Sequence, residues 1–370
     1  MKKNIFSEKN DLEGKPIFKD ESVFYPDYFP LSIPSRETQI KELTFLLKPL
    51  LVQKKANNIL VYGPPGTGKT LTTNFVLKEL CEYTKKVNFT YINLIKENTR
   101  VAVLSKVVSL FGGILPRRGL AIDEILSRTL ELFSKADFSP IIILDEIDKM
   151  DKEESSKLLY DLSRFNVGKR YFTLILVTNY KSCILELDNR TQSTLFLSDL
   201  EFPKYKPQEI KGILKERIEY GFIPGSISED LIGYVAGFAA GRGGDARIAI
   251  DLLYKAGKNS EKLGHSEITK DILLSSVRLV DSVKLSEKIR YLHSEEYELL
   301  LAIDEGIDVS TLYARLKFSE RAIRRYLENL ENLELIKIET YRVGKAEKRR
   351  VSLSVDPELL KKEWNICLRK

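Results

Sequence analysis

The stretch Gly63-Pro64-Pro65-Gly66-Thr67-Gly68-Lys69-Thr70 constrains this chain more than any other. The residues before it, Asn58 to Tyr62, read as a short buried strand. From Leu71 to Tyr83 the apolar residues Leu71, Phe75 and Leu80 recur at helical spacing. A strand, a glycine-rich loop and a helix in that order form a Walker A phosphate-binding loop. Its glycines let the backbone curl so that successive N–H groups face one anion, and the helix N-terminus adds its dipole. The expected ligand is a nucleoside triphosphate, ATP, wrapped by Gly63 through Leu71. Lys69 would reach its β- and γ-phosphates, and the Thr70 hydroxyl would hold Mg²⁺.

A second motif follows about 75 residues later. Pro140-Ile141-Ile142-Ile143-Leu144-Asp145-Glu146-Ile147-Asp148 is an apolar run ending in carboxylates. Such a run suits a central strand of a parallel sheet covered on both faces, and ligands bind at the C-terminal ends of strands in open α/β sheets. Asp145 would bind Mg²⁺, and Glu146 would polarise an attacking water as general base. A third apolar strand, Thr173 to Thr178, ends at Asn179, which either orients that water or simply opens a turn. Arg190 is either solvated or a finger reaching into a neighbouring subunit's ATP. Farther on, Asp245 caps a helix whose first turn carries Arg247. A cation there opposes the helix dipole, so its expected role is to meet phosphate.

Strand and helix alternate over residues 56–200, which argues a doubly wound parallel sheet. The expected elements are a helix over 36–51 broken at Pro49, strands at 58–62, 87–94, 140–144 and 173–178, and helices between them. Residues 208–280 read as helical throughout, with turns at 221–228, 241–244 and 257–266. A helical lid behind a P-loop sheet is the layout of the AAA+ class. Two helical patterns, 100–110 and 122–133, form an insertion joined by a loop carrying Arg117 and Arg118. That loop either enters a DNA minor groove or is merely solvated. Residues 1–30 are aromatic and aperiodic, an arm expected on the core.

The last eighty residues follow a different logic. Helices are expected at 295–305, 309–316 and 320–332, the third capped by Ser319. Its residues Ile323, Leu327 and Leu330 form an apolar stripe, with Arg321, Arg324 and Arg325 opposite. Strands at 335–343 and 349–355 flank a basic turn. Between Arg315 and Arg350, eleven Lys/Arg stand against six Asp/Glu. Three helices and a basic hairpin make a winged helix-turn-helix. The arginine face would read a major groove, and Arg342, Lys345, Lys348 and Arg349 of the wing would hold phosphate or minor groove. A protein-binding winged helix is the alternative.

The chain's 43% hydrophobic and 30% charged residues are ordinary for a globular protein, and its net charge of +6 permits nucleic-acid binding. No apolar run approaches the length of a membrane span, and residues 1–8 lack a signal-peptide core. A cytoplasmic, nucleoid-associated protein is expected. Three scattered cysteines and two histidines give no disulfide framework and no zinc cluster.

The Walker A loop, Leu144-Asp145-Glu146-Ile147-Asp148, the strand ending at Asn179, Gly244-Asp245-Ala246-Arg247 and the winged helix occur in one order. Together they resemble the archaeal replication initiators related to eukaryotic origin recognition complex subunit one and cell division control protein six. The resemblance covers nearly the whole chain. It implies an N-terminal arm (1–30), an AAA+ nucleotide-binding α/β domain (31–200) with an initiator-type insertion near 99–134, a helical lid (201–285) and a winged-helix domain (286–370). It further implies that Leu31–Glu37, with Ile33 and Arg36, lies beside the adenine, that Tyr205 and Arg217 contact ATP, and that Arg247 is the sensor 2 arginine. The implied function is an ATP-switched initiator with slow hydrolysis. It would bind origin duplex DNA, assemble with other initiator subunits and help load the replicative helicase. A transcriptional regulator, a paralogous regulator of other initiators and a clamp-loader or motor ATPase are the alternatives.

Overall fold

The computed structural model describes residues 16–116, 119, 121–168, 170–303, 306–333, 335–343 and 346–367. The chain divides into two compact units, the first ending at Thr269 and the second starting at Lys270.

The first unit is built on a five-stranded parallel sheet. Its strands are β1 (Asn58–Tyr62), β2 (Val87–Asn93), β3 (Ser139–Asp145), β6 (Thr173–Thr178) and β7 (Leu197–Glu201), in spatial order β2-β3-β6-β1-β7. A short antiparallel pair, β4 (Asn166–Val167) with β5 (Arg170–Tyr171), lies outside it. Every residue of β3 and of β6 is buried, as the unbroken apolar runs required. The pleat sends alternate residues to opposite faces. Leu60, Ile142, Leu144, Leu174 and Leu176 pack into one core with Val103, Leu104, Phe133, Leu158 and Leu162. Ile59, Val61, Ile141, Ile143, Ile175 and Val177 pack into another with Leu43, Leu47, Val76 and Leu77. Helices therefore cover both faces. On the first face lie α3 (Arg100–Leu110), α4 (Ile122–Lys135), α5 (Lys152–Arg164) and α6 (Asn189–Leu195). The second face is covered by α1 (Glu37–Leu47) and α2 (Lys69–Tyr83). Burying each of these Leu and Ile side chains contributes about 1.5–3 kcal/mol. Pro49 turns the chain after α1 into a 3₁₀ segment, Lys48–Val52, as its missing N–H dictates.

Three helices complete the unit: α7 (Pro207–Gly221), α8 (Glu229–Gly241) and α9 (Ala246–Lys262). The expected turn at 257–266 begins later, because Gly257 lies inside α9. Its missing side chain makes a seat for the arm: a Cβ there would stand 2.5 Å from Phe18 Cζ. Gly221, at the end of α7, does the same for Phe24, with a Cβ 2.4 Å from Phe24 Cε2. Phe18 also meets the Phe222 and Tyr254 rings edge-on or tilted, at centroid distances of 5.1 and 5.7 Å. The described part of the arm is thus anchored on the helical lid rather than only on the sheet.

The second unit comprises α10 (Lys270–Ile289), α11 (Ser294–Leu301), β8 (Ile307–Asp308), α12 (Val309–Arg315), α13 (Glu320–Asn332), β9 (Ile336–Val343), β10 (Ala346–Leu353) and α14 (Pro357–Cys367). Helix, short strand, two helices and a β-ribbon are the element order of a winged helix-turn-helix. The sheet order is β8-β10-β9, antiparallel. Its core gathers Leu299, Leu312, Ile323, Leu327, Leu330 and Val351 with Leu285 and Ile289 of α10 and Leu360 of α14. The unit boundary therefore falls before α10, earlier than the expected 285. Glu363 of α14 accepts the Ser282 hydroxyl at 2.6 Å and also that of Ser286. Burial would raise its pKa, but those two bonds to the ionised form leave it lowered.

Candidate functional site

Strands β3, β6 and β1 are parallel neighbours, so their C-terminal ends open on one edge of the sheet. There β1 runs into Gly63, β3 ends at Asp145 and β6 is followed by Asn179. Gly66 and Gly68 take φ of +70° and +85°, the left-handed backbone that the curled loop needs.

Lys69 opens α2 and is 7% exposed. Its ammonium donates to the carbonyls of Gly63 and Pro64 at 2.6 and 2.9 Å and to Asn179 Oδ1 at 2.9 Å. Burial lowers its pKa, and the nearby Glu146 and Asp145 carboxylates oppose that. Asn179 passes the connection on, its amide nitrogen donating to Glu146 Oε2 at 3.0 Å. Thr70 Oγ1 donates to Asp145 Oδ2 at 2.9 Å. The Glu146 N–H donates to Asp145 Oδ1 at 3.0 Å and joins these groups, so the Walker A lysine and threonine, the carboxylates at and after the end of β3 and the asparagine after β6 form one hydrogen-bonded set.

Glu146 sits at φ +59°, a left-handed conformation that costs a side-chain-bearing residue roughly 1–2 kcal/mol. Burial, then Asp145 and Asp148, push its carboxyl above the usual range. A more basic carboxylate suits a proton acceptor. Asp148 is turned away, accepting from Thr178 Oγ1 at 2.8 Å and pairing with Lys149 at 3.1 Å. Although burial works against it, these contacts hold its pKa down.

The set faces a cavity of about 850 Å³ whose wall takes the loop from Pro65 to Leu71, with Glu146 and Asn179. Gly63 and Pro64 present carbonyls to Lys69 and do not line it. The lid contributes Arg247, whose side chain is 68% exposed. Asp245 caps α9 and holds that guanidinium, with Nε at 3.2 Å from Oδ1 and Nη2 at 3.1 Å from Oδ2. Asp245 also abuts the loop: a Cβ on Gly66 would fall 1.7 Å from Asp245 Oδ1. Only glycine fits there.

Ile33, Tyr205 and Arg217 line the same cavity. Arg217 is committed to the arm, bonding the Val23 carbonyl and lying 4.3 Å over the Tyr28 ring. Arg36 departs from expectation. It is 1% exposed and does not line the cavity. Its guanidinium donates to the carbonyls of Thr67 (2.8 Å), Ser35 (3.0 Å) and Pro203 (2.8 Å) and stacks 3.7 Å from the Tyr205 ring. Arg36 braces the phosphate loop from behind. Arg190 likewise lies outside the cavity, 5.3 Å over the Tyr160 ring.

In the second unit, Arg321, Arg324 and Arg325 are exposed on α13, opposite buried Ile323, Leu327 and Leu330. Arg324 reaches Tyr313 Oη at 3.2 Å and Glu320 at 3.4 Å. The ribbon pairs out to Val343↔Ala346, so Lys348 and Arg349 both stand in strand. Of these two only Lys348 departs from the expected turn; Arg349 lies in strand as expected, and its pairing with Thr340, beside that of Lys348 with Tyr341, splits the basic residues. Arg342 and Arg349 share one face of the ribbon, and Lys348 lies on the other. Arg117, Arg118 and Lys345 fall outside the described residues.

One residue at the site had no motif to announce it. Tyr91 of β2 lines the cavity and donates to Asp145 Oδ2 at 2.7 Å. Burial above all raises its pKa, to about 12, so it is a neutral donor. The available signal was a polar pair, Tyr91 and Asn93, at the end of the strand beside the Asp-Glu strand.

Comparison with known proteins agrees with this geometry. Residues 52–182 match the AAA domain model and residues 211–275 the Cdc6 AAA+ ATPase-type lid domain. ORC1-type DNA replication protein 1 of Sulfurisphaera tokodaii is 32% identical over 381 residues, covering 97% of this chain and 95% of the relative. The ORC1-type DNA replication protein of Pyrococcus abyssi is 33% identical, covering 86% of this chain and 79% of the relative. Among solved structures, the Aeropyrum pernix ORC1 protein in complex with DNA superposes with a TM-score of 0.72 at 28% identity, covering 95% and 97% of the two chains. Among the described residues, no helix is long and apolar enough to cross a membrane. The chain belongs to the family of ORC1-type DNA replication proteins.

Proposed function

We propose that this protein is an ATP-switched replication initiator that binds ATP with Mg²⁺ in the first unit and origin duplex DNA through the second. The observation that carries the nucleotide reading is the hydrogen-bonded set of Lys69, Asn179, Glu146, Asp145 and Thr70, all but Asp145 lining one cavity. Phosphate oxygens would replace the Gly63 and Pro64 carbonyls as acceptors for Lys69. Arg247 would exchange Asp245 for the terminal phosphate. Ile33 and Tyr205 are placed to cover the rest of the nucleotide, and Arg217 to stand at its edge.

The residues present fit Mg²⁺. A threonine hydroxyl and a carboxylate stand 2.9 Å apart beneath the phosphate loop. Among the described residues there is no cluster of three or more metal-ligating side chains. That suits an ion that keeps most of its shell as water and phosphate oxygen. Bound there, it would neutralise charge on the β- and γ-phosphates. Glu146 would accept a proton from a water held beside it and Asn179. Asn179, donating to Glu146 while accepting from Lys69, would keep the base aligned with the phosphate-binding cation. Arg190 would serve a neighbouring subunit's nucleotide.

DNA binding rests on the exposed arginines of α13, on Arg342, Lys345, Lys348 and Arg349 of the wing, and on the insertion bearing Arg117 and Arg118. The Aeropyrum pernix relative, solved in complex with DNA, supports this assignment. We further assign action with other initiator subunits, recruitment of the replicative helicase and residence on the nucleoid in the cytoplasm. The test is fluorescence-anisotropy binding of origin and scrambled duplexes across a salt series. Replacing Arg324 and Arg325 by alanine should cost about 1–3 kcal/mol for each base edge no longer read and relax sequence preference. Replacing Arg117 and Arg118 should flatten the salt slope by about one unit for each phosphate no longer neutralised. Equal binding of origin and scrambled DNA by the parent protein would overturn the initiator reading.

A further inference from the structure

Asp145 is gripped on both oxygens. Oδ1 accepts the Glu146 N–H at 3.0 Å. Oδ2 accepts two hydroxyls, Thr70 at 2.9 Å and Tyr91 at 2.7 Å. Tyr91 comes from β2, which runs parallel to β3 with Tyr91 opposite Ile143 and Asn93 opposite Asp145. Asn93 Nδ2 approaches the Tyr91 oxygen at 3.4 Å. An amide donor on that oxygen leaves the phenolic proton to point at the carboxylate. Asn93 is itself fixed, because its Oδ1 accepts the Ile95 N–H at 3.0 Å.

A carboxylate that is free to rotate presents a metal with several geometries. One held by a phenol presents a single one. We propose that Tyr91 is a positioning residue for the metal ion: through its hydroxyl, set by Asn93, it fixes Asp145 in the orientation that binds Mg²⁺ together with Thr70. The inference rests on the ATP–Mg²⁺ reading above. Partners that orient a metal ligand in this way are worth about 10–100-fold in metal affinity.

Tyr91→Phe removes the hydroxyl and little else. Binding of a fluorescent ATP analogue to the full chain is measured in EDTA and across a Mg²⁺ titration, with the thermal midpoint of the nucleotide-free protein alongside. The Mg²⁺ concentration for half-maximal effect should rise at least about tenfold. Affinity in EDTA should be unchanged, and hydrolysis should recover at high Mg²⁺. Asn93→Ala should shift the Mg²⁺ midpoint the same way by less, and it carries the test if Tyr91→Phe does not fold. An unchanged Mg²⁺ midpoint in the folded variant overturns the inference. So does an equal loss of affinity in EDTA and in Mg²⁺, which would make Tyr91 a nucleotide contact. A parent protein whose nucleotide affinity and hydrolysis ignore Mg²⁺ overturns the ATP–Mg²⁺ reading itself, and this inference with it.

Discussion

The amide nitrogen of Asn179 lies 3.0 Å from Glu146 Oε2, while its oxygen accepts from Lys69 at 2.9 Å. One side chain at the end of β6 thereby couples the phosphate-binding cation to the candidate base. Asn179→Ala should leave ATP affinity within a few-fold of the parent, since Lys69 keeps its charge. Hydrolysis should slow by about 10–100-fold, because a misaligned base loses much of its general-base contribution. Single-turnover hydrolysis beside equilibrium binding separates the two effects.

Arg36 makes a second, structural prediction. It is a buried cation satisfying three carbonyls, and removing it leaves those acceptors unpaired at about 1–3 kcal/mol each. Arg36→Ala should therefore lower nucleotide-free stability by about 3 kcal/mol or more. Chemical unfolding without nucleotide is the measurement. Parental stability with lost ATP affinity would return Arg36 to a role beside the adenine.

Two glycines inside helices should respond oppositely to the same change. Gly237 of α8 has open space where a Cβ would go, so Gly237→Ala should stabilise by about 0.5–1 kcal/mol. At Gly257 the new methyl group would strike the Phe18 ring. Gly257→Ala should destabilise and expose the arm to protease. Equal effects at both positions would show that the arm does not dock on α9.

Glu229, at the start of α8, pairs with Lys211 and Lys215 of α7. Its hydrogen bonds to Lys215 and Lys211 bring its pKa from 4.5 down to about 2. A depressed carboxylate stabilises the fold above its unfolded value and loses that stabilisation as the pH falls. The midpoint gap between parent and Glu229→Gln should thus be full at neutral pH, shrink below pH 4.5 and vanish only below pH 2. Because Glu229 is exposed, salt should narrow the gap as well.

What the sequence discloses here follows physical rules. Unbroken apolar runs at Ile141–Leu144 and Leu174–Val177 mark central parallel strands, and the residues just after them become site residues because those strand ends share an edge. Tyr91 escapes such reading because its role arises from the parallel pairing of β2 with β3, which no local pattern encodes. Arg36 escapes it because its three acceptors come together only in the folded chain. Gly257 looks like a turn since glycine is a poor helix former; Phe18 supplies the reason it is tolerated. The basic wing lacks apolar alternation at Ala346–Lys348, so β10 begins before the pattern does. Helix α10 reads as a continuation of the lid, although its Leu285 and Ile289 bury in the second unit. Helix α14 offers only a short apolar stripe around Leu360 and Trp364, the latter stacked 3.9 Å from Tyr297.

The central claim is that the Lys69–Asn179–Glu146 set binds ATP and activates water. Equilibrium binding and single-turnover hydrolysis of ATP by Lys69→Ala and Glu146→Gln, measured side by side, test it most directly. Lys69→Ala should lose about 10–100-fold in affinity, the value of one charge-assisted hydrogen bond set. Glu146→Gln should bind ATP as the parent does and hydrolyse it about 10²–10⁴-fold more slowly. Hydrolysis by Glu146→Gln at the parental rate, or parental ATP affinity in Lys69→Ala, would contradict the account.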